Sequence, residues 1–181
     1  MQKTVLSFGL ISGAILAALM FITIPFHDQI GFESGGLIVG YTSMILAFLL
    51  IYFGVRSYRD NVGAGQVSFG RAFAVGLLIM LVASACYVIS WEIVYERFFP
   101  DFVAKYAAHT LEKARAGGAT EAQLAAQQQQ MAQFAEMYKN PFIRAGMTLL
   151  EPLPVGLLFS VLTAWVMSRR KRTETPAAAA A

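Results

Sequence analysis

Cysteine is nearly absent. Cys86 is the single thiol in 181 residues, so no internal disulfide and no cysteine metal cluster can form. Set in the middle of an apolar run, it reads as a small buried hydrophobe. Histidine is as scarce, with two residues. Charged side chains make up 14% of the chain, against about 25% in soluble domains. The formal net charge is only +3, and the basic residues gather at run ends and in a tail rather than along one face. Nucleic acid is therefore excluded as a partner. Also missing are the phosphate-binding loop, the H-E-x-x-H zinc motif, the G-x-S-x-G nucleophile turn and the dinucleotide fingerprint. The chain reads as a non-enzyme with no cofactor.

Charge is scarcest in four apolar runs, 4–24, 35–55, 72–91 and 145–168. The first three hold no Asp, Glu, Lys, Arg or His, and the fourth holds one acid, Glu151. A helix rises about 1.5 Å per residue, so roughly 20 residues cross about 30 Å of hydrocarbon. The expectation is an all-α membrane protein, a four-transmembrane-helix bundle over 1–172 whose immediate partner is the lipid bilayer. Residues 173–181 end in an alanine run and read as a disordered tail. The first run is too long for a signal-peptide core and ends in no small-residue cleavage site, so it reads as an uncleaved anchor.

The connections divide by charge. Lys3, Arg56, Arg59, Arg71 and the Arg169-Arg170-Lys171-Arg172 string face only Asp60 and Glu174. The other side is net acidic, with Arg97, Lys105, Lys113, Arg115, Lys139 and Arg144 against Asp28, Glu33, Glu92, Glu96, Asp101, Glu112, Glu121, Glu136 and Glu151. Basic short loops mark the cytoplasmic side, which puts both termini inside. The three arginines of the inner loop are expected to anchor the cytoplasmic face. Tyr87, Trp91, Tyr95, Phe98 and Phe99 sit where an interfacial aromatic belt belongs.

Small residues spaced by four allow membrane helices to approach closely. Gly9 with Gly13, Gly36 with Gly40, Gly76 after Ala72, and Gly156 with Ser160 give each run such a face. Between runs three and four lies the sizeable hydrophilic insertion, about 97–140. It reads as an extracytoplasmic helical hairpin. Pro100-Asp101 opens the first helix, Gly117-Gly118 breaks it, and Thr120-x-x-Gln123 is a capping-box start for the second. Phe102, Tyr106 and His109 on the first helix, and Leu124, Gln127 or Gln128, Met131, Phe134 and Tyr138 on the second, make narrow stripes that suit a hairpin closing on itself or on a partner.

Glu151 is followed by Pro152 and Pro154, which donate no backbone hydrogen bond and should kink the helix and free carbonyls. Two readings stay open. Glu151 lies near the interface and caps the helix that follows, or it forms an intramembrane polar site with Glu92, Pro152 and Pro154. Glu96, His27 and Asp28 fall at a similar depth, but their spacing matches no metal motif, so no metal is expected.

The strings Gly40-Tyr41-Thr42-Ser43-Met44 and Phe53-Gly54-Val55-Arg56-Ser57-Tyr58-Arg59-Asp60 resemble the second-helix signature of domain-of-unknown-function family 4199. Ser68-Phe69-Gly70-Arg71-Ala72-Phe73 with Gly76 resembles the start of its third helix. Tyr138-Lys139-Asn140-Pro141, Thr148 and Glu151-Pro152-Leu153-Pro154-Val155-Gly156 resemble the start of its last. The resemblance implies a four-helix protein of the bacterial inner membrane and supplies no catalytic residues. The functional expectation is an accessory or scaffolding protein acting through its hairpin or helix faces, on a homo-oligomer or a membrane or periplasmic protein partner. The alternative is a small oligomeric transporter or channel subunit using Glu151 and Glu92.

Overall fold

Each helix boundary has a local cause. The computed structural model describes residues 1–26, 30–31 and 34–169. Among these the chain is helical, without strands: α1 (Gln2–Thr23) running into a 3-10 turn (Ile24–Phe26), α2 (Ser34–Asn61), α3 (Phe69–Phe98), α4 (Phe102–Ala116), α5 (Glu121–Tyr138), α6 (Pro141–Leu150) and α7 (Pro152–Ser168). Positive φ at Ala64 and Gly65 reverses the chain between α2 and α3. Gly118, at φ +81°, does so after α4. Thr120 and Gln123 form a reciprocal capping box at the start of α5. The Asn140 side chain accepts from the amides of Phe142 and Ile143, with Pro141 in the first turn of α6.

Four stretches of the described residues are long and apolar enough to cross a membrane: Gln2–Phe26, Gly35–Asn61, Phe69–Phe98 and Pro141–Ser168. The helices outrun the charge-free segments. α3 has 30 residues, about 45 Å at ~1.5 Å each, so it overhangs a ~30 Å hydrocarbon layer. Large apolar side chains such as Ile38, Ile45, Ile89 and Leu158 point outward. Ser12, Ser84, Ser160 and Thr163 point inward. Lipid supplies no drive to hide leucine, so small residues collect at the helix–helix contacts, where they let backbones approach.

Helix α3 is central and touches α1, α2, α6 and α7. A Cβ placed on Gly9 would lie 2.7 Å from the Cβ of Val82, and one on Gly13 would lie 2.5 Å from the Cβ of Cys86. These two glycines seat α1 on α3. Gly76 abuts Ser160, and Gly156 abuts Met80 and Phe48, which seats α7 on α3. Ser12 Oγ donates to the Ala47 carbonyl at 2.8 Å and ties α1 to α2. Phe48, Ile51, Ile79, Met80 and Met167 fill the centre.

Two glycines have other surroundings. An added Cβ on Gly36 would meet the carbonyl oxygen of Gly31 at 2.8 Å, a local contact, and one on Gly40 would meet nothing within 4 Å. Arg59 also differs from the anchoring role expected of it. It is buried, with Nε and Nη2 on Asp60 at 2.8 and 2.7 Å and Nη1 on the Met167 sulfur at 3.3 Å. Arg56 and Arg71 remain exposed. The Arg170–Arg172 string, the tail 173–181, and His27, Asp28 and Glu33 lie outside the described residues.

The glycines give a paired test. Gly9→Ala presses on a stiff β-branched neighbour and should cost about 1–3 kcal/mol. Gly40→Ala should be neutral or stabilising by up to about 1 kcal/mol. Thermal unfolding of both purified variants in one detergent checks this, and equal losses would refute the assigned helix contacts.

Candidate functional site

The chemistry gathers at the end of the long helices that carries α4 and α5. The spacing of Tyr87, Trp91 and Tyr95 along α3 places three rings on one helical face. Arg144, Thr148 and Glu151 likewise line one face of the last long stretch. These two faces meet.

Arg144 is the buried centre. Its Nε donates to both carboxylate oxygens of Glu92 at 3.0 Å, its Nη2 reaches Glu92 again, and Nη2 contacts Glu96 at 3.4 Å. The guanidinium lies 4.2 Å from the centre of the Tyr95 ring, a cation–π contact. Nη1 donates to the Tyr138 carbonyl at 3.4 Å, fastening the end of α5. The Arg144 side chain is 5% exposed and that of Glu92 24%, so the pair is largely shielded from water.

Helices α4 and α5 sit over this pair on a floor of rings. Phe102 packs edge-on against Trp91 at 5.1 Å, Tyr138 packs on Tyr95 at 5.4 Å, and Tyr106 meets Phe134 at 6.2 Å. Trp91 Nε1 donates to Tyr138 Oη at 2.8 Å. Burial holds the Tyr138 phenol above its ordinary pKa, and its oxygen accepts that bond. The aromatic belt expected from sequence is therefore split. Phe98 is exposed and touches Phe21, whereas Trp91 and Tyr95 turn inward to hold α4 and α5.

Beneath the α4–α5 roof lies a cavity of about 590 Å³. Its walls are mainly apolar on the α1 and α2 sides, with Leu16, Leu19, Met20, Leu37 and Gly40 beside the hydroxyl residues Thr23 and Ser43. Rings of Tyr87, Trp91, Tyr106 and Phe134 form the other wall and roof. Thr148 and Glu151 supply polar groups. Glu151 Oε2 accepts from Tyr87 Oη at 2.9 Å. Its side chain makes no cap to α7. Pro152 is buried and Pro154 exposed. Helix α6 ends at Leu150 and α7 begins at Pro152, so the break falls on the acid, where Pro152 lacks the amide a continuous helix would use.

Glu151 and Glu92 thus occupy separate environments, a tyrosine in the cavity wall for one and an arginine outside it for the other. Sequence reasoning missed both partners, Tyr87 and Arg144. Among the described residues no trio of His, Cys, Asp and Glu converges in a metal-binding arrangement.

The profile of the family described as "Protein of unknown function (DUF4199)" matches residues 7–169. The chain belongs to this family. Among curated proteins and among solved structures, nothing matches it. The DUF4199 segment includes α4, α5 and every cavity residue named above, so roof and cavity belong to the family region rather than to an appended part.

In this DUF4199 chain, Arg144→Met should cost about 3–5 kcal/mol, because it strands the shielded Glu92 carboxylate. Adding Glu92→Met should recover part of that loss. Unfolding midpoints of the two single variants and the double variant measure the coupling. Additive losses would show that the pair contributes nothing.

Proposed function

We propose that this protein is a multi-pass accessory protein of the bacterial inner membrane, without catalytic activity, that binds a small, largely apolar ligand beneath α4 and α5. On this reading the four long stretches form one transmembrane bundle, both chain ends are cytoplasmic, and α4–α5 is an extracytoplasmic hairpin. The sidedness rests on Arg56, Arg59, Arg71 and Arg169 at one end against Glu92, Glu96 and Glu151 at the other.

The observation that carries the reading is the cavity. Its volume of about 590 Å³ falls inside the roughly 300–1,000 Å³ of small-molecule sites. Apolar walls with a few convergent polar groups are the usual composition of such sites. The hairpin then works as a roof, held by the aromatic floor and by Arg144. A transport path built on Glu151 and Glu92 together has less support, because Glu92 is committed to Arg144 and does not line the cavity.

Gly40→Phe tests the reading. A side chain at that position starts in open space and projects into the cavity, so the fold should hold while the site fills. Native mass spectrometry should find a small amphiphile on the wild-type protein and none on the variant. Equal occupancy in both would reject the site. A topology reporter at Gly118 should read as external and one at Gly63 as cytoplasmic. The opposite pattern would reject the orientation.

A further inference from the structure

We infer that the cavity ligand is an organic cation with an apolar body, held by the Glu151 carboxylate and by aromatic ring faces. The inference rests on the cavity being a binding site, and it adds the ligand's charge.

The acids at this end of the long helices are not equivalent. Glu92 and Glu96 share Arg144. Glu151 receives the Tyr87 hydroxyl and, among the described residues, has no basic partner. Arg144, seven positions earlier, is already engaged by two carboxylates and the Tyr138 carbonyl. A carboxylate in largely apolar surroundings is costly unless a positive charge offsets it. The cavity is where that charge can be supplied, since Glu151 is accessible from it.

The remaining walls suit the same ligand. The rings of Trp91, Tyr106 and Phe134 border the space, and aromatic faces attract ammonium-type cations. The opposite wall is mainly apolar, with Leu16, Leu19 and Leu37, and the hydroxyls of Thr23 and Ser43 on that side donate to the carbonyls of Met20 and Val39, so it accommodates a hydrocarbon body. An anion would meet the Glu151 charge and no arginine or lysine among the described lining residues.

Trp91 makes this measurable. The chain has two tryptophans, so Trp165→Phe leaves the cavity tryptophan as the single reporter. The purified variant, in an uncharged detergent, is titrated with three probes of similar body: tetraphenylphosphonium, tetraphenylborate and neutral triphenylphosphine oxide. The cation should quench Trp91 at concentrations at least tenfold lower than the anion. Glu151→Gln should weaken the cation at least tenfold while changing the neutral probe less than twofold, which also reports that the fold is intact. An unaffected cation, or an anion bound as tightly, would overturn the inference while leaving the cavity reading in place. If Gly40→Phe alters no probe, the cavity reading itself fails and the inference with it. Repeating the cation titration in nanodiscs identifies the source. Competition by phosphatidylethanolamine over phosphatidylglycerol would make the occupant a lipid amine, and no competition would make it a free organic cation.

Discussion

Arg144 is the interaction on which this architecture depends. It lies on the last long helical stretch, yet its partners are the Glu92 and Glu96 carboxylates and the Tyr95 ring of α3 and the terminal carbonyl of α5. One side chain therefore joins α6 both to α5, six positions back at Tyr138, and to α3, 52 positions away at Glu92. A guanidinium suits this place because its planar fork can meet a carboxylate with two donors and still stack on a ring. Such shielded pairs add modest net stability but penalise every arrangement that breaks them. The roof over the cavity is fixed by that penalty together with the packing of Phe102, Tyr106, Phe134 and Tyr138.

Between the long helices themselves the packing is of a different kind. Gly9, Gly13, Gly76 and Gly156 let α1 and α7 press against α3, and the buried hydroxyls bond to nearby carbonyls, as Ser160 does to Gly156 at 2.8 Å. Close approach there and separation near the roof follow from the same residue type used in two ways. Where a glycine faces a neighbouring helix, the backbones touch. Where Gly40 faces no neighbour, the missing side chain leaves room. Ser84 is buried with no hydrogen-bond partner for its hydroxyl, and nothing in the structure explains it.

Much of the fold was legible because its signals are local. A run of twenty uncharged residues, the Gly117-Gly118 break and the Thr120–Gln123 box need no tertiary information. The cavity and its partners were less legible. Tyr87 is 64 positions from Glu151, and Glu92 is 52 from Arg144. Trp91 and Tyr95 at a helix exit look alike whether they face lipid or a docked helix. A usable signal was present: Tyr87, Trp91 and Tyr95 repeat every fourth residue, and Arg144, Thr148 and Glu151 share a face. Gly40 could not be read, since a glycine that makes room and one that makes contact carry the same letter. Arg59 was misread for a related reason, as nothing nearby in sequence announces that Met167 covers it.

The break at Pro152 also sets a length. Helix α7 has 17 residues, about 26 Å at ~1.5 Å each, and Arg169 stacks on Trp165 at its far end, 3.9 Å from the ring centre. That guanidinium and Glu151 therefore bracket a span slightly shorter than a ~30 Å hydrocarbon layer. The charge-free run of the neighbouring α3, 72–91, is about 30 Å at ~1.5 Å per residue. The two spans differ by a few Å, and hydrophobic mismatch of this sort is relieved by local thinning or by tilt. Where Arg169 sits in one headgroup region, the depth of Glu151 at the other depends on membrane thickness. A thick, ordered bilayer draws the carboxylate into hydrocarbon, whereas a thin one lifts it toward water and the headgroups.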